Sequence, residues 1–226
     1  MSELAERDTP AAFTSSSVGL KVVMAVTGLV LFGFVFVHML GNLQMFLGPE
    51  PMNHYGKLLR ELLHGGGIWV ARAGLLAAVA LHIGAAWSLT RTSWKARPVA
   101  YKVVAYDAST YASRTMRWSG PILFLFIVYH LLHLTVGSVH PGFVQEDVYR
   151  NVIVGFSVWP VAVFYVVAML ALGLHLRHGV WSLLQSLGVS HPRWNAVRGA
   201  AAWIFTTLVV LGFLSVPLAV LAGVLK

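Results

Sequence analysis

The stretch "TGLVLFGFVFVHMLGNL", Thr27–Leu43, decides how the rest of the chain is read. It is apolar for almost the length a bilayer requires, and it carries one ionisable side chain, His38, near its end. A second stretch, "SGPILFLFIVYHLLHLT", Ser119–Thr135, follows the same plan. In both, a small hydroxyl residue and a glycine precede an aromatic-rich run, and a histidine follows ten positions after the glycine. Ionisable groups are expensive inside a membrane and mark function there, so the purpose of these histidines is the question the sequence raises.

The 226 residues are 58% hydrophobic and 11% charged, the composition of a polytopic membrane protein with no room for a separate soluble catalytic domain. The absence of cysteine excludes disulfides, thiolate-held iron–sulfur clusters and covalently attached c-type haem. The N-terminus "MSELAERDTPAAFTSSS" lacks the basic start and short apolar core of a cleaved signal peptide. The expectation is a tail over 1–17 followed by one membrane domain over 18–226, all α-helical, with the first apolar run retained as a span.

Five spans are expected at 20–43, 68–91, 118–139, 153–177 and 198–223, each near the ~20 residues a crossing helix needs. Trp69, Trp87, Trp94, Trp118, Trp181 and Trp194 fall close to their ends, as interfacial tryptophans do. Pro121, Pro160 and Pro217 are tolerable inside spans because neighbouring helices satisfy the freed backbone groups. Of the 16 Lys and Arg residues, eleven fall on the side of the N-terminus, six of them in the 91–117 connection. The positive-inside rule then puts the N-terminus in the cytoplasm of a bacterial inner membrane. The net charge of +8 reflects that bias and does not imply nucleic-acid binding.

Four spans carry histidine: His38, then His82, then His130 and His133, then His175 and His178. Under this orientation His38 and His130 lie in the outer half, and His82 and His175 in the inner half, the levels differing by roughly 14 Å at the rise of an α-helix. Two histidines at each of two levels is the layout of two bis-histidine haems stacked across a membrane in a bundle core. The chain also repeats: "ALHIGAAWSL" (Ala80–Leu89) echoes "GLHLRHGVWSL" (Gly173–Leu183), and the separations His38–His130 and His82–His175 are 92 and 93 positions. Two parallel two-helix repeats plus a fifth helix are therefore expected. The repeat selects His130 over His133 and His175 over His178, leaving His133 and His178 as supporting or propionate-binding groups. Gly28 and Gly120 either admit a porphyrin edge or serve plain helix packing.

Lys21, Ser17 and Arg177 suit propionates at the inner level, and Arg72 and His64 at the outer one; interfacial snorkelling is the alternative for each cation. "MNHYGKLLRELLHGGG" (Met52–Gly67) reads as an amphipathic helix in the outer loop, where His54, Tyr55, Glu61 and His64 either bind a quinone head group or form a solvated face.

The segments "HMLGNLQMFLGPE", "NHYGKLLREL", "WVARAGLL", "TRTSWKARPVAY", "STYASRTMRWSG" and "LHLRHGVWSLLQSLG" resemble the cytochrome b558 membrane anchor of succinate:quinone oxidoreductases, succinate dehydrogenases and fumarate reductases alike. The resemblance covers roughly 15–220. It implies two haem b groups ligated by four histidines on the first four spans, matching His38, His82, His130 and His175. It also implies a flavoprotein and an iron–sulfur protein docked on the cytoplasmic face and menaquinone as the usual partner, with no succinate-oxidising site in this chain. Some fumarate reductases of this group carry a Glu two residues before the fourth ligand; the matching position here is Gly173. The rival expectations are a di-haem anchor of another quinone-linked dehydrogenase and, in a different class, a histidine-relay transporter without haem. The basic 91–117 connection is the expected docking surface for the iron–sulfur partner.

Overall fold

The computed structural model describes residues 16–96, 111–186, 188 and 191–226, and among these every regular element is helical. Helix α1 is Ser17–Asn42; it starts where the Ser16 hydroxyl accepts the Gly19 N–H at 3.0 Å, a side-chain cap for an otherwise orphaned donor. A 3₁₀ turn, Leu43–Leu47, and Gly48 at φ 102° lead into α2, Pro49–Glu61, which has proline in its first turn. Gly65, at φ 84°, turns the chain into α3, Gly66–Lys95. Helix α4, Tyr111–Leu131, continues as a π-helical turn, Leu132–Val136, and stops at Gly137 with φ 82°. The short α5, Val148–Ser157, is capped by Asp147, which accepts the Arg150 N–H at 3.1 Å. Helices α6, Trp159–Ser186, and α7, Asn195–Leu221, complete the chain.

Among the described residues five segments are long and apolar enough to cross a membrane: Ser17–Leu47, Gly66–Lys95, Arg114–Val136, Trp159–Ser186 and Pro192–Leu221. The architecture is that of a multi-pass membrane protein. The fourth differs from the 153–177 read from hydropathy, because residues 148–157 form a separate helix. Val158 is extended, with ψ 95°, and Pro160, with no N–H to donate, falls in the first turn of a new helix where none is needed. The expected N-terminal tail and most of the basic 91–117 connection, residues 97–110, lie outside the described residues.

Helices α1 and α3 pack as one hairpin and α4 and α6 as another, with α7 laid along α6 and touching α1. In lipid no hydrophobic force drives helices together, so close approach depends on small residues at the contacts. Ala162, Ala168 and Ala202 are sealed, and a Cβ on Gly173 would stand 3.0 Å from Val210 of α7. Phe32 of α1 stacks on Phe205 of α7 at 3.9 Å, and Met39 lies in the space a side chain at Gly212 would need. The outward faces are covered with exposed Leu, Val, Ile and Trp, as lipid contact requires. Burial concentrates at the end where α2 and α5 lie: Met45, Met52, Phe126, Val152, Phe156 and Tyr165 form one cluster with Met169, Val216 and Val220.

Gly137 holds that end together. Its positive φ is a conformation that side chains resist, and a Cβ there would run into the Phe143 ring. Gly137→Ala is expected to destabilise the protein by roughly 2 kcal/mol. Gly142→Ala, whose new carbon would find ordinary contact with Val154 at 3.7 Å, is the control and is expected to be near neutral. Thermal unfolding in detergent followed by circular dichroism measures both.

Candidate functional site

The hydroxyls that precede the two repeated glycines each hold an imidazole on the following long helix. Thr27 of α1 gives its proton to the Val23 carbonyl at 2.7 Å, leaving a lone pair to accept from Nδ1 of His82 on α3 at 3.1 Å. Ser119 of α4 bonds the Met116 carbonyl at 3.4 Å and stands 3.3 Å from Nδ1 of His175 on α6. With each hydroxyl proton on its helix carbonyl, Nδ1 is the donor and Nε2 keeps a free lone pair, the tautomer a metal-ligating imidazole needs. Gly28 lies beside the His82 ring: a Cβ there would sit in ordinary contact, 3.4 Å from Cε1. Gly120 has open space beside it. The His82 and His175 rings come together from the two hairpins with centroids 6.3 Å apart.

A second pair lies toward the α2–α5 end. His38 and His130 have ring centroids 5.9 Å apart, near perpendicular at 78°. His38 stacks on Phe34 at 5.2 Å and abuts Phe213 at 5.8 Å. His130 Nδ1 is 3.3 Å from the Tyr165 hydroxyl of α6, and that same hydroxyl is 3.0 Å from Nδ1 of His133. The π-helical turn after Leu131 widens the helix locally and lets residues three apart address one hydroxyl. His133 is fully buried, stacked on His140 at 4.8 Å. His140 bonds the Asn151 carbonyl through Nε2 at 2.8 Å and accepts the Gly142 N–H at 3.1 Å.

His38 and His130 each follow the hydroxyl of the other pair's level, Thr27 and Ser119, by eleven residues. At ~1.5 Å per residue the two levels are ~16 Å apart along both helices. Two imidazoles bound to one metal at ~2 Å, with their ring centres ~1.1 Å behind the ligating nitrogen, have centroids ~6.3 Å apart. The observed 6.3 and 5.9 Å match that separation. All four paired rings are only half-buried, so a ligand can reach them, whereas His133 is sealed. Among the described residues no group of three or more His, Asp or Glu converges. Two facing imidazoles are too few for a bare zinc site; their number fits a metal whose remaining positions a macrocycle fills.

The other residues singled out in the sequence scatter more widely. Ser17 and Lys21 are exposed, and the helix cap is Ser16. Arg177 lies over Trp203 at 4.0 Å, and Arg72 over Trp69 at 4.9 Å on an exposed face. His178 is half-buried. On α2 and the turn after it, His54, Glu61 and His64 are exposed, with Glu61 3.7 Å from Lys57, while Tyr55 packs over Gly41. They form no common pocket among the described residues. Tyr165 and His140 had no signal beyond being polar among apolar neighbours. The roles of Thr27 and Ser119 were signalled by their repeat but not by anything that named their partners.

The family model of the succinate dehydrogenase/fumarate reductase transmembrane subunit matches residues 94–214, more than half of the chain. The matched stretch contains His130 and His175; His38 and His82 lie on the half related to it by the internal repeat. No curated protein and no solved structure is significantly similar to it.

Thr27→Val and Ser119→Ala keep the shape of their sites and remove the hydroxyl beside Nδ1 of His82 and of His175. Each is expected to cost ~1–3 kcal/mol in unfolding, and Thr27→Ser is expected to restore nearly all of the loss. Chemical denaturation in mild detergent, compared across the three variants, checks this.

Proposed function

Since the chain belongs to the succinate dehydrogenase/fumarate reductase transmembrane subunit family, we propose that it is the di-haem cytochrome b that anchors such a complex and carries electrons between its iron–sulfur clusters and quinone. One haem b is held by His38 and His130, the other by His82 and His175. The observation that carries this reading is the two facing imidazole pairs, at centroid separations of 5.9 and 6.3 Å, each drawn from two separate hairpins. Haem iron supplies a one-electron carrier at each level, and two carriers ~16 Å apart divide a bilayer into steps.

The protein's own part is to fix the ligands. Thr27 and Ser119, with their own protons on helix carbonyls, would keep the proton on Nδ1 of His82 and His175 and leave Nε2 as the donor that holds the metal. Phe34 and Phe213 hold His38 by packing alone. The carboxylates of the prosthetic groups would fall to Lys21, Ser17 and Arg177 at one level and to Arg72 and His64 at the other, with His133 and His178 as supporting groups. With the N-terminus in the cytoplasm, as the distribution of Lys and Arg favours, the His82–His175 level faces the flavoprotein and iron–sulfur partners. The His38–His130 level then lies toward the outer face, and menaquinone exchanges electrons and protons near His54, Tyr55, Glu61 and His64. Gly173 is occupied in packing against Val210 and offers no carboxylate for proton movement across the membrane.

The test is loss of the two haems in pairs. His38→Ala and His130→Ala are expected to remove the same component from the reduced-minus-oxidised spectrum, and His82→Ala and His175→Ala the other, each leaving roughly half of the absorbance. If His130→Ala removed the component lost in His82→Ala, the assignment of ligands would be wrong. A wild-type spectrum with no haem would return the chain to the transporter reading.

A further inference from the structure

The two levels are supported differently. At His82 and His175 the Nδ1 partner is an aliphatic hydroxyl that passes its proton to a helix carbonyl. At His130 it is a phenol shared with a second histidine. A phenol has one proton, so the chain His130–Tyr165–His133 can run in only one direction at a time. When Nε2 of His130 ligates a metal, its Nδ1 must carry the proton and donate to the Tyr165 oxygen. The Tyr165 O–H must then donate to Nδ1 of His133, which puts the remaining His133 proton on Nε2. That atom is fully buried and has no hydrogen-bond partner among the described residues. It faces Gly155 of α5, where an added Cβ would lie 2.9 Å from it. A buried N–H left unpaired is costly, so the arrangement has to be set by what happens at the other end of the chain.

We propose that Tyr165 is the positioning residue for His130 and that His133 acts through it to tune the metal held there. This rests on the haem reading above. A hydrogen bond accepted from Nδ1–H pushes electron density onto the imidazole and favours the oxidised metal, and an acceptor whose own proton is drawn away by a third group accepts more strongly. Removing links of the chain therefore raises the reduction potential of one haem in graded steps. Tyr165 is suited to the task because its ring is fixed independently: it is nearly buried, with Phe126 and Phe156 packed edge-on at 5.0 and 4.8 Å. Tyr165→Phe thus removes the hydroxyl and keeps the packing.

The experiment is a potentiometric titration of the purified complex, carrying both haems, in wild type, His133→Leu and Tyr165→Phe. The haem absent from His130→Ala serves to identify the component. Expected is an upward shift of that haem's midpoint in His133→Leu and a larger one in Tyr165→Phe, the other haem staying unchanged and the haem content remaining at wild-type level. The low-spin electron paramagnetic resonance signal of the same haem is expected to move toward that of a neutral, unbonded imidazole ligand. Two intact haems with unmoved potentials would overturn the role of Tyr165 while leaving the haem reading standing. A shift in the other haem would overturn it by locating the hydroxyl at the wrong level. A wild-type complex with no bis-histidine haem would remove the reading and this inference together.

Discussion

On the proposed ligation each pair of imidazoles shares one metal at one depth, and in a helical bundle that requirement fixes the register of two helix pairs at once. His38 and His130 sit on helices running in the same direction, as do His82 and His175. A slip of one turn in either hairpin would move a partner by ~5.4 Å, too far for a single metal. Much of the remaining structure serves that register. Thr27 locks α1 to α3 at the His82 ring, Ser119 locks α4 to α6 at His175, and Tyr165 locks them again at His130. Each lock is a hydrogen bond between neighbours within one hairpin, so the hairpins are internally keyed before they meet.

Helix α7 does what the repeat cannot. It carries no histidine inside its span and belongs to neither hairpin, yet it lies against both α6 and α1. Phe205 stacked on Phe32 and Gly212 against Met39 join it to α1, and Val210 over Gly173 joins it to α6. Arg198 over Trp181 and Arg177 over Trp203 cross between α6 and α7 in opposite directions near one end of the span. Arg198 is buried there and donates to the Asn195 side-chain oxygen, while Arg177 is half-buried, its charge set against an aromatic face. At the other end, α2 and α5 cover the bundle, tied by Asn53, which donates to Asp147 and accepts the Tyr149 N–H, both at 3.0 Å.

The five long helices were legible in the sequence because hydrophobic length is a property of composition, which needs no knowledge of neighbours. The proximity of His38 to His130 and of His82 to His175 was legible for a related reason: depth along a span can be counted from its ends. The break before Trp159 was also written there, in Pro160, but a long apolar run hides such a break when helical proline is common in membranes. What counting cannot reach is lateral: which hydroxyl faces which ring depends on rotation about each helix and on which helices adjoin. Thr27 and Ser119 stood out by repetition, yet their partners are 55 and 56 residues away. Tyr165 and His140 have no repeat equivalents to mark them, and the π-helical turn that brings His133 onto Tyr165 has no sequence period at all.

The account stands on each pair of histidines holding one haem. The most direct measurement is the haem stoichiometry of the purified chain, from the pyridine haemochrome with protein determined by amino-acid analysis. The account predicts two haem b groups per chain; one or none would contradict it.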